Sequence, residues 1–384
     1  MARERRKELI EQLERLRNSR VLAYVTSDRK PASGQIGDDA VRPLYDHLRQ
    51  MGHVKSLDLF LYSTGGAIDV PWRIVTALRT TADEWHVLIP FRANSAATLL
   101  ALGADTIVLG PQGELGPIDP ILTLQRLVPI LGGGQNRMQD MISVEDVMAY
   151  QRFVSERAGL SDQGALAVGL EKLADRMDAL TIGSLYRTHA HIRDVARLML
   201  LSRKRPANEQ TMATIVETLA EKVYAHGHAI GLKDAQAIGL PAKAATADED
   251  AAMWDLLAEY EGDLRILQNI DPASVTANTD TYQEDSTIAV IESSWASSEH
   301  RGRVEVKAKR QMPQNFNLSL NVALQLPPGI NVNQLPAALQ QALQAGQQQM
   351  AQQAQQAVDA AMKQQAPVVG LDVALRDGRW VNVP

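Results

Sequence analysis

The most constraining feature of this sequence is an alternation of short apolar segments and longer amphipathic segments between residues 57 and 109. The apolar segments predict strands at residues 57–62, 85–91 and 106–109. The intervening segments carry apolar residues at helical spacing, which predicts parallel crossovers. In such folds the loops at the carboxyl ends of the strands carry the functional residues. The alternation therefore predicts an α/β fold with its functional loops at one edge of the sheet.

Two of these predicted strands run into segments that could support acyl chemistry. The first is followed by Ser63-Thr64-Gly65-Gly66, and glycine allows a backbone to approach a ligand closely. The second leads to Ser95 at the start of an apolar helix, where the helix dipole and the N–H of Ala96 can stabilise an oxyanion. Taken alone, Ser95 is more typical of a helix cap and the Gly-Gly pair of a simple turn. Taken together, the two segments make Ser95 a candidate nucleophile.

In their order along the chain, these motifs resemble those of a known superfamily. They are Ser-Thr-Gly-Gly at 63–66, Asn-Ser-Ala-Ala-Thr-Leu-Leu-Ala-Leu-Gly-Ala-Asp at 94–105 and Glu-Leu-Gly-Pro-Ile-Asp-Pro at 114–120. The set is similar to the Clp peptidase and signal peptide peptidase A superfamily, most closely to its serine dehydrogenase proteinase branch. Residues 224–228 and 233–240 also resemble that branch, so the likeness covers about residues 20–242.

The resemblance implies a Clp/crotonase-like spiral of strand-strand-helix units with a helical insertion. It implies a serine peptidase, ATP-independent or partner-fed, that hydrolyses peptide bonds through an acyl-enzyme on Ser95. The backbone of Gly65 or Gly66, together with Ala96, would form the oxyanion hole. A polypeptide substrate and a homo-oligomer are the partners that the resemblance implies, and no cofactor is expected.

The general base is the open part of this prediction. Clp peptidases place a histidine soon after the nucleophile helix, but residues 110–120 contain none. Asp119 lies there, and a carboxylate at its usual pKa is a poor base for a serine hydroxyl, so Asp119 is at most an orienting group. Signal peptide peptidases use a lysine, for which Lys172 is the candidate. His189 and His226 are the imidazole candidates, and for each a surface position without a catalytic role stays open.

Two His-X-His pairs raise the question of a metal site. His189 and His191 fall on a predicted helix, where positions i and i+2 point to different sides and cannot share one ion. His226 and His228 fall in a glycine-containing loop and could chelate, but no carboxylate can be placed beside them. We therefore expect no metal.

Two functions compete with the peptidase. One is a catalytically inactive Clp-fold scaffold for assembly, with the C-terminal module binding a partner protein. The missing histidine after the nucleophile helix favours it. The other is an acyl-CoA enzyme of the crotonase type, which shares the backbone oxyanion hole and needs no serine. A dinucleotide-binding domain is disfavoured because no Gly-X-Gly-X-X-Gly motif follows any predicted strand.

The domain organisation has three predicted parts. Residues 1–19 form an amphipathic helix, which either packs on the body of the protein or binds a partner. Residues 20–246 form the peptidase domain, and residues 247–384 form an accessory α+β module, because the composition shifts near residue 246. In that module we expect strands at 286–291, 304–308 and 316–326, a helix at 335–365, and a hairpin that turns at Asp377-Gly378.

Composition excludes several classes of protein. The net charge of −6 argues against binding to nucleic acid, which needs a basic surface. The 384 residues include no cysteine, which rules out disulfides, thiolate metal sites and a cysteine nucleophile, and fits a reducing cytoplasm. Because no stretch of about 18 apolar residues occurs, we expect neither export nor a membrane span.

Overall fold

The computed structural model describes residues 2–118, 121–129, 135–159, 162–175, 177, 179–222, 229–311 and 335–383. The chain forms two compact units. The first comprises residues 1–269, 285–302 and 377–384, and the second comprises residues 270–284 and 303–376. The boundary that composition suggests at residue 246 falls inside the first unit, because the helix that follows it packs against the N-terminal helix.

Helices and strands alternate through the first half of the chain. The helices are α1 Ala2–Arg17, α2 Val41–Met51, α3 Val70–Thr81, α4 Ala96–Leu102, α5 Val144–Arg152, α6 Gln163–Ala174, α7 Ala179–Leu201, α8 Glu209–Glu217, α9 Leu232–Ala237, α10 Ala247–Leu264, α11 Pro272–Val275 and α12 Ala337–Gln365. The strands are β1 Arg20–Thr26, β2 Val54–Tyr62, β3 Ala82–Ile89, β4 Arg92–Ala93, β5 Thr106–Leu109, β6 Glu114–Leu115, β7 Ile121–Pro129, β8 Gln135–Ser143, β9 Ala242–Ala244, β10 Thr281–Glu292, β11 Ser297–Arg310 and β12 Val368–Val383. Within the described ranges, no helix combines the length and the apolar character needed to cross a bilayer.

The main sheet confirms the α/β class. Among the described residues it has eight strands in the order β12-β11-β10-β1-β2-β3-β5-β9. Strands β1, β2, β3, β5 and β9 are parallel to one another, and β10 pairs antiparallel with β1. The parallel crossovers predicted between residues 57 and 109 are therefore present. The strand-strand-helix spiral and the α+β character of the C-terminal module stay predictions.

The parallel strands are apolar on both faces because helices cover both faces of the sheet. In β2, Leu57, Leu59 and Leu61 join one buried cluster, which includes residues of α2, α3, α4 and α7. Phe60 and Tyr62 point the other way, into a cluster formed with α1 and α10. Helix α4, which follows Ser95, is buried along its whole length.

The N-terminal helix packs on the body of the protein. Leu9, Ile10 and Leu13 of α1 are buried in the same cluster as α10. Arg6 is buried as well, and its Nε lies 2.6 Å from Glu292 of β10 while a second guanidinium nitrogen bonds Asp263. Removing one partner of a buried ion pair costs about 3–5 kcal/mol, so this contact fixes α1 in place.

The predicted hairpin at Asp377-Gly378 is wrong. Residues 368–383 form the single strand β12, which lies beside β11 in the sheet. The Asp-Gly signal is still visible, because Asp377 adopts a positive φ of 55° within the strand. Pairing along a long neighbouring strand outweighs the local turn preference here. The helix predicted at 335–365 is confirmed as α12, and the strand predicted at 316–326 lies outside the described residues.

His47 of α2 is a buried histidine that connects this helix to the end of β10 and the start of β11. Its Nδ1 lies 2.9 Å from Ser293 Oγ, and its Nε2 lies 3.2 Å from Ser298 Oγ. Burial lowers the pKa of His47 to about 4; Asp46 opposes this shift and Arg3 adds to it. The folded protein therefore holds a neutral imidazole.

This histidine should make stability depend on pH. Because its folded pKa lies below the unfolded value, its contribution is complete above about pH 6.5 and is lost as the pH falls towards 4. We expect the free energy of unfolding to decrease by about 3 kcal/mol over that interval. Denaturant titrations between pH 7 and pH 4 would measure the change. The His47→Gln variant should show a smaller decrease, and an equal decrease in the variant would contradict this assignment.

Candidate active site

The Ser95 region is built by a row of short extended segments beside the main sheet. Strand β4 pairs in parallel with β6, and isolated bridges extend the row on both sides. The bridged pairs are Ile36 with Gly66, Ser63 with Ala93, and Leu115 with Ile230. The loops after β2, β3 and β5, which the sequence predicts to be functional, therefore lie next to one another.

Ser95 occupies a strained junction between β4 and α4. Its φ of 53° and ψ of −115° lie outside the extended conformation that capping residues usually adopt. Its side chain makes no capping hydrogen bond, and its hydroxyl has no hydrogen-bond partner among the described residues. Such strain in a non-glycine residue costs about 1–3 kcal/mol and often marks a functional site. The side chain is partly exposed, so the hydroxyl is accessible.

Gly65 approaches this serine so closely that a side chain could not be accommodated. A Cβ on Gly65 would lie 2.8 Å from Ser95 Cβ and 3.3 Å from the backbone nitrogen of Ala96. The φ of Gly65 is +114°, a conformation that favours glycine. The structure therefore brings together the turn and the serine that the sequence singles out.

A buried pair of hydroxyl groups holds the Gly65-Gly66 turn. The Thr26 hydroxyl donates to Ser63 Oγ at 2.8 Å, and the N–H of Gly65 donates to the same oxygen at 3.1 Å. Sequence reasoning treated Ser63 only as part of a motif and missed this role. Because the Gly65 N–H is occupied, the donors left for a ligand are those of Gly66 and Ala96, neither of which has a hydrogen-bond partner within the described residues.

Thr98 fixes the position of α4 relative to the loop after β5. Its hydroxyl lies 2.7 Å from the carbonyl oxygen of Ala93 and 2.8 Å from that of Gly116, and it accepts from the Gly116 N–H at 3.2 Å. A Cβ on Gly116 would lie 2.8 Å from Asn94 Oδ1. The Gly-Pro turn that begins at Gly116 therefore packs directly against the residue before Ser95.

Charged groups hold the outer side of β4. The Arg92 guanidinium lies 3.2 Å from the carboxylate of Glu114 on β6 and 3.9 Å from that of Asp28. Asp28 accepts a hydrogen bond of 3.1 Å from the Tyr62 hydroxyl. Burial, followed by the charge of Asp28, raises the pKa of Tyr62 well above its ordinary value, so this hydroxyl stays protonated.

The described base candidates make contacts elsewhere. Lys172 is exposed on α6, where its Nζ lies 3.2 Å from Asp175. His189 of α7 is half-buried, and its ring nitrogens bond Arg193 one helical turn later. His226 and Asp119 lie outside the described residues. Neither Lys172 nor His189 contacts the Ser95 hydroxyl.

The chain on both sides of residues 223–228 is attached to the loop after β5. The N–H of Ile118 donates to the carbonyl of Leu219 at 3.0 Å, and Leu115 and Ile230 exchange hydrogen bonds of 3.0 and 2.8 Å. The described residues on either side of this segment, Leu219 and Ile230, are therefore bonded to residues next to the Gly116 turn.

Sequence reasoning also missed a histidine–carboxylate pair. His191 Nε2 lies 2.6 Å from Asp69 Oδ1, and Asp69 follows Gly66 by three residues. His189 and His191 have different partners, as expected for positions i and i+2 of a helix. Within the described residues there is no group of three or more acidic, histidine or cysteine side chains that could hold a metal ion.

A family comparison agrees with the order of the motifs. Residues 1–149 match the model of a family described as ClpP-like SDH-type serine proteinase. The resemblance to the serine dehydrogenase proteinase family is therefore confirmed over these residues. They include Gly65, Gly66, Ser95 and Ala96.

Two similar proteins match shorter parts of the sequence. The uncharacterized protein MJ0137 of Methanocaldococcus jannaschii is 38% identical over 68 residues, which are 18% of this chain and 24% of that protein. The uncharacterized protein MJ1495 of the same organism is 27% identical over 117 residues, 29% of this chain and 40% of that protein. The chain thus spans less than half the length of these two relatives. A solved structure, a mutant of the 1510-N membrane-bound stomatin-specific protease, is 14% identical with a TM-score of 0.33, and the match covers 60% of this chain and 81% of that one.

The close approach of Gly65 to Ser95 predicts that Gly65→Ala lowers the free energy of unfolding more than Gly52→Ala does. Gly65→Ala and Gly52→Ala both place alanine at a positive φ, and strain of this kind costs about 1–3 kcal/mol. A Cβ on Gly52 meets no atom within 4 Å, whereas one on Gly65 meets Ser95. Overpacking adds about 1–3 kcal/mol, so Gly65→Ala should lose more free energy of unfolding. Guanidinium denaturation would measure the difference, and equal losses would contradict the close packing.

Proposed function

We propose that this chain, residues 1–149 of which match the ClpP-like SDH-type serine proteinases, is a serine peptidase that acts through an acyl-enzyme on Ser95. The observation that carries the proposal is the strained conformation of Ser95 beside the Gly65-Gly66 turn. A serine that only caps a helix would adopt extended backbone and would bond the first N–H groups of the helix. Ser95 does neither.

The proposed reaction begins when the Ser95 hydroxyl attacks the carbonyl carbon of a peptide bond and passes its proton to a base. The negative oxygen of the tetrahedral intermediate accepts hydrogen bonds from the N–H groups of Gly66 and Ala96. Loss of one such donor costs about 2.7–4 kcal/mol of transition-state stabilisation. Collapse of the intermediate breaks the C–N bond, and the amine leaves with the proton from the base. Water then hydrolyses the acyl-enzyme and regenerates Ser95.

Gly65 contributes to this reaction through its backbone position. Its N–H is bonded to Ser63, so we assign the donor role to Gly66 and a shaping role to Gly65. Ser63 and Thr26 then act as positioning residues, because they hold the turn that carries the donor. The sequence alone does not distinguish the roles of Gly65 and Gly66, because either glycine could supply the N–H donor.

For the base we propose His226. The flanking residues Leu219 and Ile230 are bonded to Ile118 and Leu115, in the loop that packs against Asn94. Asp119 stays the proposed orienting carboxylate. Lys172 and His189 are weaker candidates because each bonds another side chain.

His191 is the alternative that the described contacts support. A histidine whose one nitrogen bonds a carboxylate is oriented for proton transfer through the other nitrogen. The 2.6 Å bond to Asp69 supplies that arrangement close in sequence to Gly66. The two histidines therefore compete for one role, and mutagenesis separates them.

A second function, the inactive scaffold, is favoured by one observation. The Ser95 hydroxyl has no base beside it among the described residues. In that reading the fold serves assembly and partner binding, and the strain at Ser95 has no catalytic purpose. The two functions differ in whether Ser95 reacts with an electrophile.

Reactivity with a fluorophosphonate probe tests the nucleophile. The folded protein should be labelled covalently, and Ser95→Ala should abolish labelling because it removes the proposed nucleophile. Ser294→Ala, which changes a partly exposed serine outside the site, should leave labelling unchanged. If folded wild-type protein resists the probe between pH 6 and pH 9, the scaffold function is supported instead.

Three glutamine variants identify the base. Removal of a general base lowers the rate by about 10²–10⁴-fold, so His226→Gln should slow labelling of Ser95 by that factor. His228→Gln is the matched control and should react normally. The wild-type rate should rise with pH through the pKa of the base, and this rise should disappear in His226→Gln. Loss of the rate in His191→Gln alone would assign the role to His191.

A further inference from the structure

One edge of the strand β12 pairs with no other strand of the described residues. It stands at the end of the eight-stranded order, so β11 lies on one side of it and the described residues supply no strand on the other. Residues 368–376 of this strand belong to the second unit. An open edge of this length exposes a row of backbone N–H and C=O groups that another strand can bind.

The same part of β12 exposes an apolar stripe. Val369, Leu371, Val373 and Leu375 alternate along the strand and therefore share one face. Their exposed fractions are 60%, 36%, 38% and 37%. Proteins often protect a free edge with charged residues, above all lysine, or with proline or a bulge. Residues 368–376 contain neither lysine nor proline, and their two charged residues, Asp372 and Arg376, have opposite signs. Exposed apolar side chains along such an edge indicate a surface that another strand covers.

The charges beside the stripe are arranged symmetrically about Ala374. Asp372 lies two residues before Ala374, and Arg376 lies two residues after it. Val373 and Leu375 are related in the same way. The Arg376 guanidinium lies 3.5 Å from Glu305 of the neighbouring strand β11, a contact on the side of β12 away from the free edge. A strand with this pattern is complementary to itself when it is reversed.

We propose that two copies of this chain associate through antiparallel pairing of their β12 strands, with the two-fold axis at Ala374. In this register Asp372 faces Arg376 of the second copy, and the pair occurs twice because the interface is isologous. Val373 faces Leu375 of the second copy on the other face. Such cross-strand pairs stabilise a sheet, and the ladder hydrogen bonds add to them.

The charges of Asp372 and Arg376 favour a second copy of this chain as the partner and favour the antiparallel register. Parallel in-register pairing would place Asp372 beside Asp372 and Arg376 beside Arg376, which is repulsive. A strand from an unrelated protein would gain nothing from the symmetry. The surface lies outside residues 1–149 and is independent of the chemistry at Ser95, so its failure and the failure of the peptidase are separate results.

A single engineered cysteine tests the two-fold axis, because the natural sequence contains none. Residues directly opposite in an antiparallel pair have Cα atoms about 4.5–5.5 Å apart, within the range of a disulfide. Full-length Ala374→Cys should therefore form a covalent dimer under mild oxidation. The control Val369→Cys should not, because its two copies would lie about 33 Å apart. Efficient cross-linking of both variants, or of neither, overturns the register.

Charge reversal tests the interface without a cross-link. In sedimentation experiments Asp372→Arg and Arg376→Asp should each weaken dimerisation at least tenfold, since each brings like charges together. An equimolar mixture of the two variants should recover dimers, because opposite charges meet again at both pairs. Asp255→Arg, an exposed change on α10, is the matched control and should dimerise normally.

Thermal unfolding of Arg376→Asp provides a check on folding, because this variant places a carboxylate near Glu305. A monomeric wild-type protein would overturn the proposal. It would also be overturned if residues 316–326 of the same chain were found on the free edge of β12. Dimers that persist in Asp372→Arg at the control affinity would place the interface elsewhere.

Discussion

The contact on which the candidate site depends is the close approach of the Gly65 backbone to Ser95. It brings the loop after β2 against the N-terminus of α4 at a distance that excludes any side chain. The approach constrains three properties together, which are the strained dihedrals of Ser95, the exposure of its hydroxyl and the direction of the free N–H groups. The backbone strain at Ser95 must be offset by packing around it. Helix α4, which begins at the next residue and is completely buried, is part of that packing.

The support for this junction comes from segments that are distant in sequence. The hydroxyl groups of Thr26 and Ser63 bond to each other and hold the Gly65-Gly66 turn. The Thr98 hydroxyl bonds to Gly116 and so connects α4 to the loop after β5. Each of these hydroxyls is buried and bonded to a backbone group or to another hydroxyl, so each is specified by one geometry. The site is therefore rigid on the side of the proposed oxyanion hole.

The sequence predicts local features of this protein better than contacts between side chains. The strands around residues 57–109 are predictable because buried parallel strands are continuously apolar, and the glycine turn and Ser95 follow from their positions after those strands. The base is not predictable, because the partner of a histidine depends on tertiary packing, as His191 and Asp69 illustrate. The Asp377-Gly378 hairpin failed for a related reason, since the turn preference competes with pairing along β11 and loses.

The ion pair between Arg6 and Glu292 has a consequence for the order of folding. It joins the first helix to a strand almost three hundred residues later, and β1 likewise obtains its antiparallel neighbour from β10. The segment that carries Ser95 therefore lacks neighbours for both edges of its part of the sheet. Strand β1 pairs with β10 at one edge, and β5 pairs with β9 at the other. During synthesis, α1 and β1 emerge long before their partners. Contacts between residues so far apart in sequence slow folding, because the chain loses the entropy of closing a long loop before these contacts form.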